Sequence, residues 1–274
     1  MSGWELSLID KLPCDLDGAA LSAITTCRTA ISVAQIELPL PRARKQIPVG
    51  ELFRVRAQSH EQITAHGDLS LLHRLGFEWG VRSLVVEGDV GSGLGTRMHS
   101  GSIQVRGNAG SGAACQLRGG LIQLSGSTGD DLGCPLPGRR SGMSGGRVVI
   151  LGRAGHQVGR RMRRGTIVVH GDCGDGVGID MVAGTIAVGG NTGDLIAAGM
   201  KRGTLILAQP KSLDTIRFVG SGVAPCGISR LMADDIRHHS PQLAMLLTQR
   251  LDRFLGDCSV GGRGEIWQST LRSV

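Results

Sequence analysis

Glycines return at every nineteenth position through the middle of this chain, and that period constrains the fold more than any other feature. Six consecutive segments align on them: LVVEGDVGSGLGTRMHSG (84–101), SIQVRGNAGSGAACQLRGG (102–120), LIQLSGSTGDDLG followed by CPLPGRRSGMSGG (121–146), RVVILGRAGHQVGRRMRRG (147–165), TIVVHGDCGDGVGIDMVAG (166–184) and TIAVGGNTGDLIAAGMKRG (185–203). The step lengthens, by seven positions, only across the third segment, between Gly120 and Gly146. A period of roughly 20 residues marks a solenoid, in which each repeat buries its apolar face only by stacking on the next.

The aligned columns carry the physics. Leu84, Ile103, Ile122, Val148, Ile167 and Ile186 form one row, and Val86, Val105, Leu124, Ile150, Val169 and Val188 form a second, two positions further on. A spacing of two puts both on the same face of one short strand per repeat. A third row, Trp79, Met98, Leu117, Met143, Met162, Met181 and Met200, closes the interior from the opposite wall, where methionine fills irregular gaps. With no Tyr, four Phe and three Trp among 274 residues, that interior must be slender. The glycine rows are expected at turns needing positive φ, with Asp89, Asn108, Asp172 and Asn191 as turn formers.

Parallel strands joined by crossovers are right-handed almost without exception. The expected fold is therefore all-β: a right-handed parallel β-helix of about seven 19-residue Gly-rich coils. Three parts follow: an N-terminal β cap over 1–58, the β-helix over 59–207, and a C-terminal cap over 208–274. Ile63, Ala65, Gly67, Gly76 and Trp79 form an imperfect first coil, and GEIW near the end reads as one more strand. In the C-terminal cap an amphipathic helix is expected at about 241–255, with Ser240 as N-cap, covering the last coil.

Motifs that suggest chemistry lose force in this frame. GDVGSGLG (88–95) looks like a phosphate loop, but it recurs in every repeat and does not open a helix after a strand. Asp130, His156, Asp175 and Asp194 share a column, yet ladder neighbours about 4.8 Å apart do not converge on a metal; they read as solvated turn residues. Cys115 and Cys134 also share a column, and seven cysteines without a C-x-x-C pair read as reduced, buried thiols. His238-His239 reads as a surface pair. No catalytic residue and no metal ligand set is expected. With no run of 18 apolar residues and no leader pattern, a soluble, cytoplasmic protein without a membrane partner is expected.

The net charge of +7 comes from arginine, 26 against four lysines. Arg139 and Arg140 lie in the insert; Arg160, Arg161, Arg163 and Arg164 fall in one repeat; His99, Arg118, Arg163 and Lys201 share a column. Two readings stand: a solvated or subunit-facing charged surface, and a cluster holding carboxylates by bidentate guanidinium contacts. Nucleic acid is not expected, because no aromatic residues interleave with the arginines.

The G-x-x-G-x-x-x-G repeats resemble the glycine-rich domain shared by the large chain of glutamate synthase and the gamma (C-type) subunit of formylmethanofuran dehydrogenase. The interruption GRRSGMSGGRVVI, followed by GRAGHQVGRRMRRGTIVVHGD, is similar to that of the gamma-subunit family, over about residues 50 to 210. The resemblance implies a non-catalytic scaffold, the gamma subunit of the bacterial formyltransferase/hydrolase complex. That complex moves formyl from tetrahydromethanopterin to a methanofuran-type cofactor and hydrolyses it to formate, in the formaldehyde oxidation of methylotrophic one-carbon metabolism. The implied partners are an amidohydrolase-like hydrolase subunit, a formyltransferase subunit and a further subunit. No cofactor is bound by this chain alone, but the glutamate tail of the methanofuran-type cofactor makes Arg139, Arg140, Arg160, Arg161, Arg163 and Arg164 candidates for cofactor binding or partner docking. The gamma subunit of a molybdenum or tungsten formylmethanofuran dehydrogenase is the alternative within the family. A stand-alone β-helical transferase is the alternative outside it.

Overall fold

The computed structural model describes residues 3–41, 45–80, 82–224, 229–231, 233–234, 237 and 241–270. The fold is mostly β. Its main sheet has thirteen strands, numbered here in chain order: β1 (Gly3–Leu8), β2 (Phe53–Gln58), β3 (Ile63–His66), β4 (Ser83–Glu87), β5 (Ser102–Val105), β6 (Leu121–Leu124), β7 (Ser144–Ile150), β8 (Arg164–Val169), β9 (Thr185–Val188), β10 (Thr204–Leu207), β11 (Val219–Val223), β12 (Leu251–Gly256) and β13 (Gly264–Ser269). Their order is β11-β12-β13-β10-β9-β8-β7-β6-β5-β4-β3-β1-β2. Pairing is parallel from β1 through to β13, and antiparallel only where β2, β12 and β11 are added at the two ends.

The register repeats the sequence period. Leu84 faces Ile103, Ile103 faces Ile122, and Ile167 faces Ile186, each exactly one period on. Ile122 faces Val148 across the lengthened step, so the row passes the insert unbroken. A second line of parallel bridges runs Leu69, Val90, Ala109, Thr128, Ala154, Cys173 and Thr192 on another side of the repeats. All three aliphatic rows are buried, Met98, Met143, Met162, Met181 and Met200 at 0% exposure. Each buried Ile, Leu or Met contributes about 2 kcal/mol of transfer free energy.

Glycine serves two different needs here. At Gly120 φ is +84°, and an added Cβ would lie 2.7 Å from the Gly101 carbonyl oxygen of the preceding repeat. Gly126 has no positive φ; its Cβ would strike the Gly107 carbonyl at 2.6 Å, so close stacking excludes the side chain. Positive φ also occurs without glycine, at Arg97, Gln116, Arg161 and Asp180, which share one column. These side chains are half-buried or exposed, outside the packed interior.

The imperfect first repeat is present, with Ile63 facing Leu84 and Ala65 facing Val86. WELSLI forms β1, which adds in parallel below it, and GELFRVRA supplies β2 along the outer edge. The C-terminal cap differs from expectation. The helix expected at 241–255 ends early: α1 spans Pro241–Leu247, and Leu251–Gly256 is strand β12, paired with β13 from Leu251–Ser269 to Gly256–Gly264. Strand pairing satisfies a backbone edge that β13 would otherwise leave open, and this outweighs the helical spacing of Leu251, Phe254 and Leu255. The helix also lies on the flank of the sheet instead of over its end. Leu243, Ala244 and Leu247 cluster with the outward row Val149, Val168, Ala187, Ile206 and Trp267. Ser240 and His238-His239 lie outside the described residues.

Two polar side chains fasten this cap to the last repeat. Lys211 Nζ donates to the carbonyls of Thr192 (2.9 Å) and Gly193 (2.5 Å) and pairs with Asp194 at 3.1 Å. Asp257, 1% exposed, accepts from Gly199 N–H (2.9 Å), Ser259 N–H (2.9 Å) and the Arg217 guanidinium. Burial opposes its ionisation, but Arg217, Ser259 and the Gly199 amide together hold the carboxyl well below its usual range.

Two outcomes are expected. Gly120→Ala should lower the unfolding free energy by about 2 kcal/mol or more, read from urea midpoints, because it meets both the φ and the contact constraint. Asp257→Asn should cost about 2–3 kcal/mol at pH 7. A depressed carboxylate stabilises above its unfolded pKa and loses that contribution as pH falls, so the wild-type advantage should shrink below about pH 4.

Candidate functional site

The insert leaves the repeat at a defined neck. In regular repeats the Met-row amide donates to the carbonyl three positions back, as Met98 to Gly95 (3.1 Å) and Met162 to Gly159 (3.1 Å). Met143 makes the same bond to Gly133 at 2.8 Å, ten positions back. The seven additional residues therefore project from one closed hydrogen bond. Pro135 is buried against the body, while Pro137, Gly138, Arg139 and Arg140 are exposed at the tip. Arg139 N–H donates to the Leu136 carbonyl (2.9 Å) around Gly138, whose φ is +75°.

The six arginines singled out in the sequence divide into three situations. Arg160 pairs with Asp131 (3.6 Å) and Arg161 with Asp180 (3.2 Å), so both already face an acid. Arg139 and Arg140 stand on the insert. Arg163 and Arg164 are exposed and open onto a groove of about 590 Å³, shared with Ser144, Val182, Ala183, Lys201 and Arg202. Arg202 was not singled out in the sequence, although it stands two full periods after Arg164. A second concavity of about 600 Å³ lies beside α1, between Leu243, Met245 and Leu246 on one side and Ala208 and Pro210 on the other.

The column of acids and histidine has a structural task. Ser111 Oγ accepts Asp130 N–H (3.1 Å), Asp130 Oδ1 accepts His156 N–H (2.7 Å), His156 Nδ1 accepts Asp175 N–H (3.0 Å) and Asp175 Oδ1 accepts Asp194 N–H (2.8 Å). Asp89, Asn108 and Asp172 do the same one turn earlier. Each side chain thus satisfies a backbone donor of the following repeat. No group of three or more His, Cys, Asp or Glu arranged to hold a metal occurs among the described residues. No helix among them is long and apolar enough to cross a membrane.

Cys115 and Cys134 are buried free thiols, with Cys134 Sγ donating to the Gln157 carbonyl at 2.9 Å. Burial first, and then the nearby Asp131 carboxylate, push Cys115 up to about 11 and Cys134 up to about 12. Burial raises Cys173 to about 12 as well.

No protein-family model matches the sequence, and no curated protein does. A solved structure does match: a chain of the formyltransferase/hydrolase complex (FhcABCD) from Methylorubrum extorquens, crystallised with methylofuran. The two are 32% identical with a TM-score of 0.89, over 97% of this chain and all of that one. This chain belongs to the family of that subunit. Membership in the formyltransferase/hydrolase subunit family extends to both caps as well as the repeats, since the matched span leaves almost nothing out.

Thiol labelling should separate the cysteines. In the native protein an alkylating reagent should modify exposed Cys258 and spare Cys115, Cys134 and Cys173, which should react only after denaturation, as mapped by peptide mass spectrometry.

Proposed function

We propose that the chain is the gamma subunit of a cytoplasmic formyltransferase/hydrolase complex, a non-catalytic body on which the catalytic subunits assemble. The observation that carries this is the full-length likeness to a chain of such an assembly. The stacked 19-residue register supports a right-handed parallel β-helix, and its interior, filled by three aliphatic rows, supports a rigid structural part. The partners in this reading are an amidohydrolase-like hydrolase subunit, a formyltransferase subunit and one further subunit. The complex as a whole handles the methanofuran-type cofactor and carries formyl from tetrahydromethanopterin to formate.

Arg139 and Arg140, on a stiff loop that leaves the ladder intact, are the docking element for a partner subunit. Arg163 and Arg164 are available to carboxylates, whether of a partner or of the cofactor's tail. Arg160 and Arg161 have their acids within the chain and act on the body itself.

Tagged protein recovered from its native cell should bring down the hydrolase and formyltransferase subunits, with formate release in the complex and none from the isolated chain. Deleting residues 135–141 restores the three-residue spacing at the neck. That variant should melt within a few degrees of the wild type and recover at least tenfold less partner; unchanged recovery would remove the docking role.

A further inference from the structure

Along the repeats, basic side chains are commonly answered by an acid from a neighbouring repeat: Arg97 by Glu78 (2.8 Å), Arg106 by Glu87 (3.1 Å) and Arg161 by Asp180 (3.2 Å). Arg163, Arg164, Lys201 and Arg202 depart from this. Their side chains make no ion pair or hydrogen bond with any described residue, and no acid lines the groove they border.

The stacking fixes how these four cations face one another. Arg163 N–H donates to the Met143 carbonyl, Val182 N–H to Met162 and Lys201 N–H to Met181, each at 2.8 Å, so the three repeats lie in succession. Arg163-Arg164 form one wall and Lys201-Arg202 the other, two steps or about 10 Å apart. Between them the rung is Val182-Ala183, short and uncharged, which leaves the concavity. Four like charges this close repel one another, and here nothing within the described chain offsets them.

We propose that this groove seats an extended acidic segment of a partner protein. A single strand laid along the Val182-Ala183 rung would stand about 5 Å from each wall. Its successive side chains point to opposite sides, so consecutive carboxylates meet the arginine pair on one wall and Lys201-Arg202 on the other. Guanidinium takes a carboxylate bidentately, so acidic side chains suit both walls. No aromatic side chain lines the groove to stack a base. Only the partner's identity rests on the complex proposed above; binding itself does not.

The full-length chain can be titrated with two fluorescent peptides of equal charge, one with four consecutive glutamates and one with four glutamates alternating with glycine. The consecutive peptide should bind at least fivefold more tightly, and should lose at least tenfold in affinity in both R163E/R164E and K201E/R202E. Equal binding of the two peptides would reduce the site to diffuse attraction and overturn the proposal. So would insensitivity to either charge reversal, tighter binding of inorganic polyphosphate of matched charge, or tighter binding of γ-linked tetraglutamate, which lacks the alternation of a strand. Circular dichroism should show both variants folded; were one unfolded, R163Q/R164Q and K201Q/R202Q would serve with a threefold loss expected from each. Co-purification of catalytic subunits with the wild-type chain is scored separately, so failure of the groove leaves complex membership standing.

Discussion

Everything in this molecule hangs from the parallel register in which each strand residue faces its counterpart one period away. Once Leu84 sits on Ile103 and Val86 on Val105, every other column is positioned as a consequence. The methionines meet in a third row, the glycines come to rest against carbonyls of the preceding repeat, and the Asx side chains reach the next repeat's amides. A one-residue slip would turn the aliphatic rows outward and press side chains into backbone at Gly120 and Gly126. Hydrophobic burial supplies the free energy, and the glycines and Asx ladders make one alignment the favourable one.

The ends of the stack show what such a register demands. A parallel ladder leaves a row of unpaired backbone groups at each terminus, and this chain covers them with antiparallel strands. β2 brings Arg54 and Arg56 to one edge, and β12 with β11 closes the other. Lys211 then absorbs the last carbonyls and the last acid of a side-chain ladder, and Asp257 pins the cap to Gly199.

The repeats, the rows and the position of the insert were legible because each is a local, periodic signal that the sequence repeats several times. Of the C-terminal cap only the GEIW strand was, as part of β13; the extent and place of the helix were not, because they depend on partners far away in the chain. Leu251, Phe254 and Leu255 suit a helix stripe, and only the open edge of β13 turns them into a strand. A signal for the lateral helix did exist: the outward column changes from Gln104 and Gln123 to Val149, Val168, Ala187 and Ile206, which announces a covered flank. At the site, alignment placed Arg163 in the same column as Lys201, but it could not say which arginines had acids within reach. Arg160 and Arg161 resemble Arg163 and Arg164 in sequence; Asp131 and Asp180 separate them in space.

The bond from Met143 to Gly133 has a meaning beyond the loop it closes. Because the neck is spanned by the same hydrogen bond that three-residue turns use elsewhere, the length of what hangs from it is uncoupled from the stack. Exposed loop tips with such anchored bases are where chains accept added sequence. Pro135 and Ser141 hold the stem against the body, so foreign peptides or small domains can be grafted at the exposed tip, 137–140.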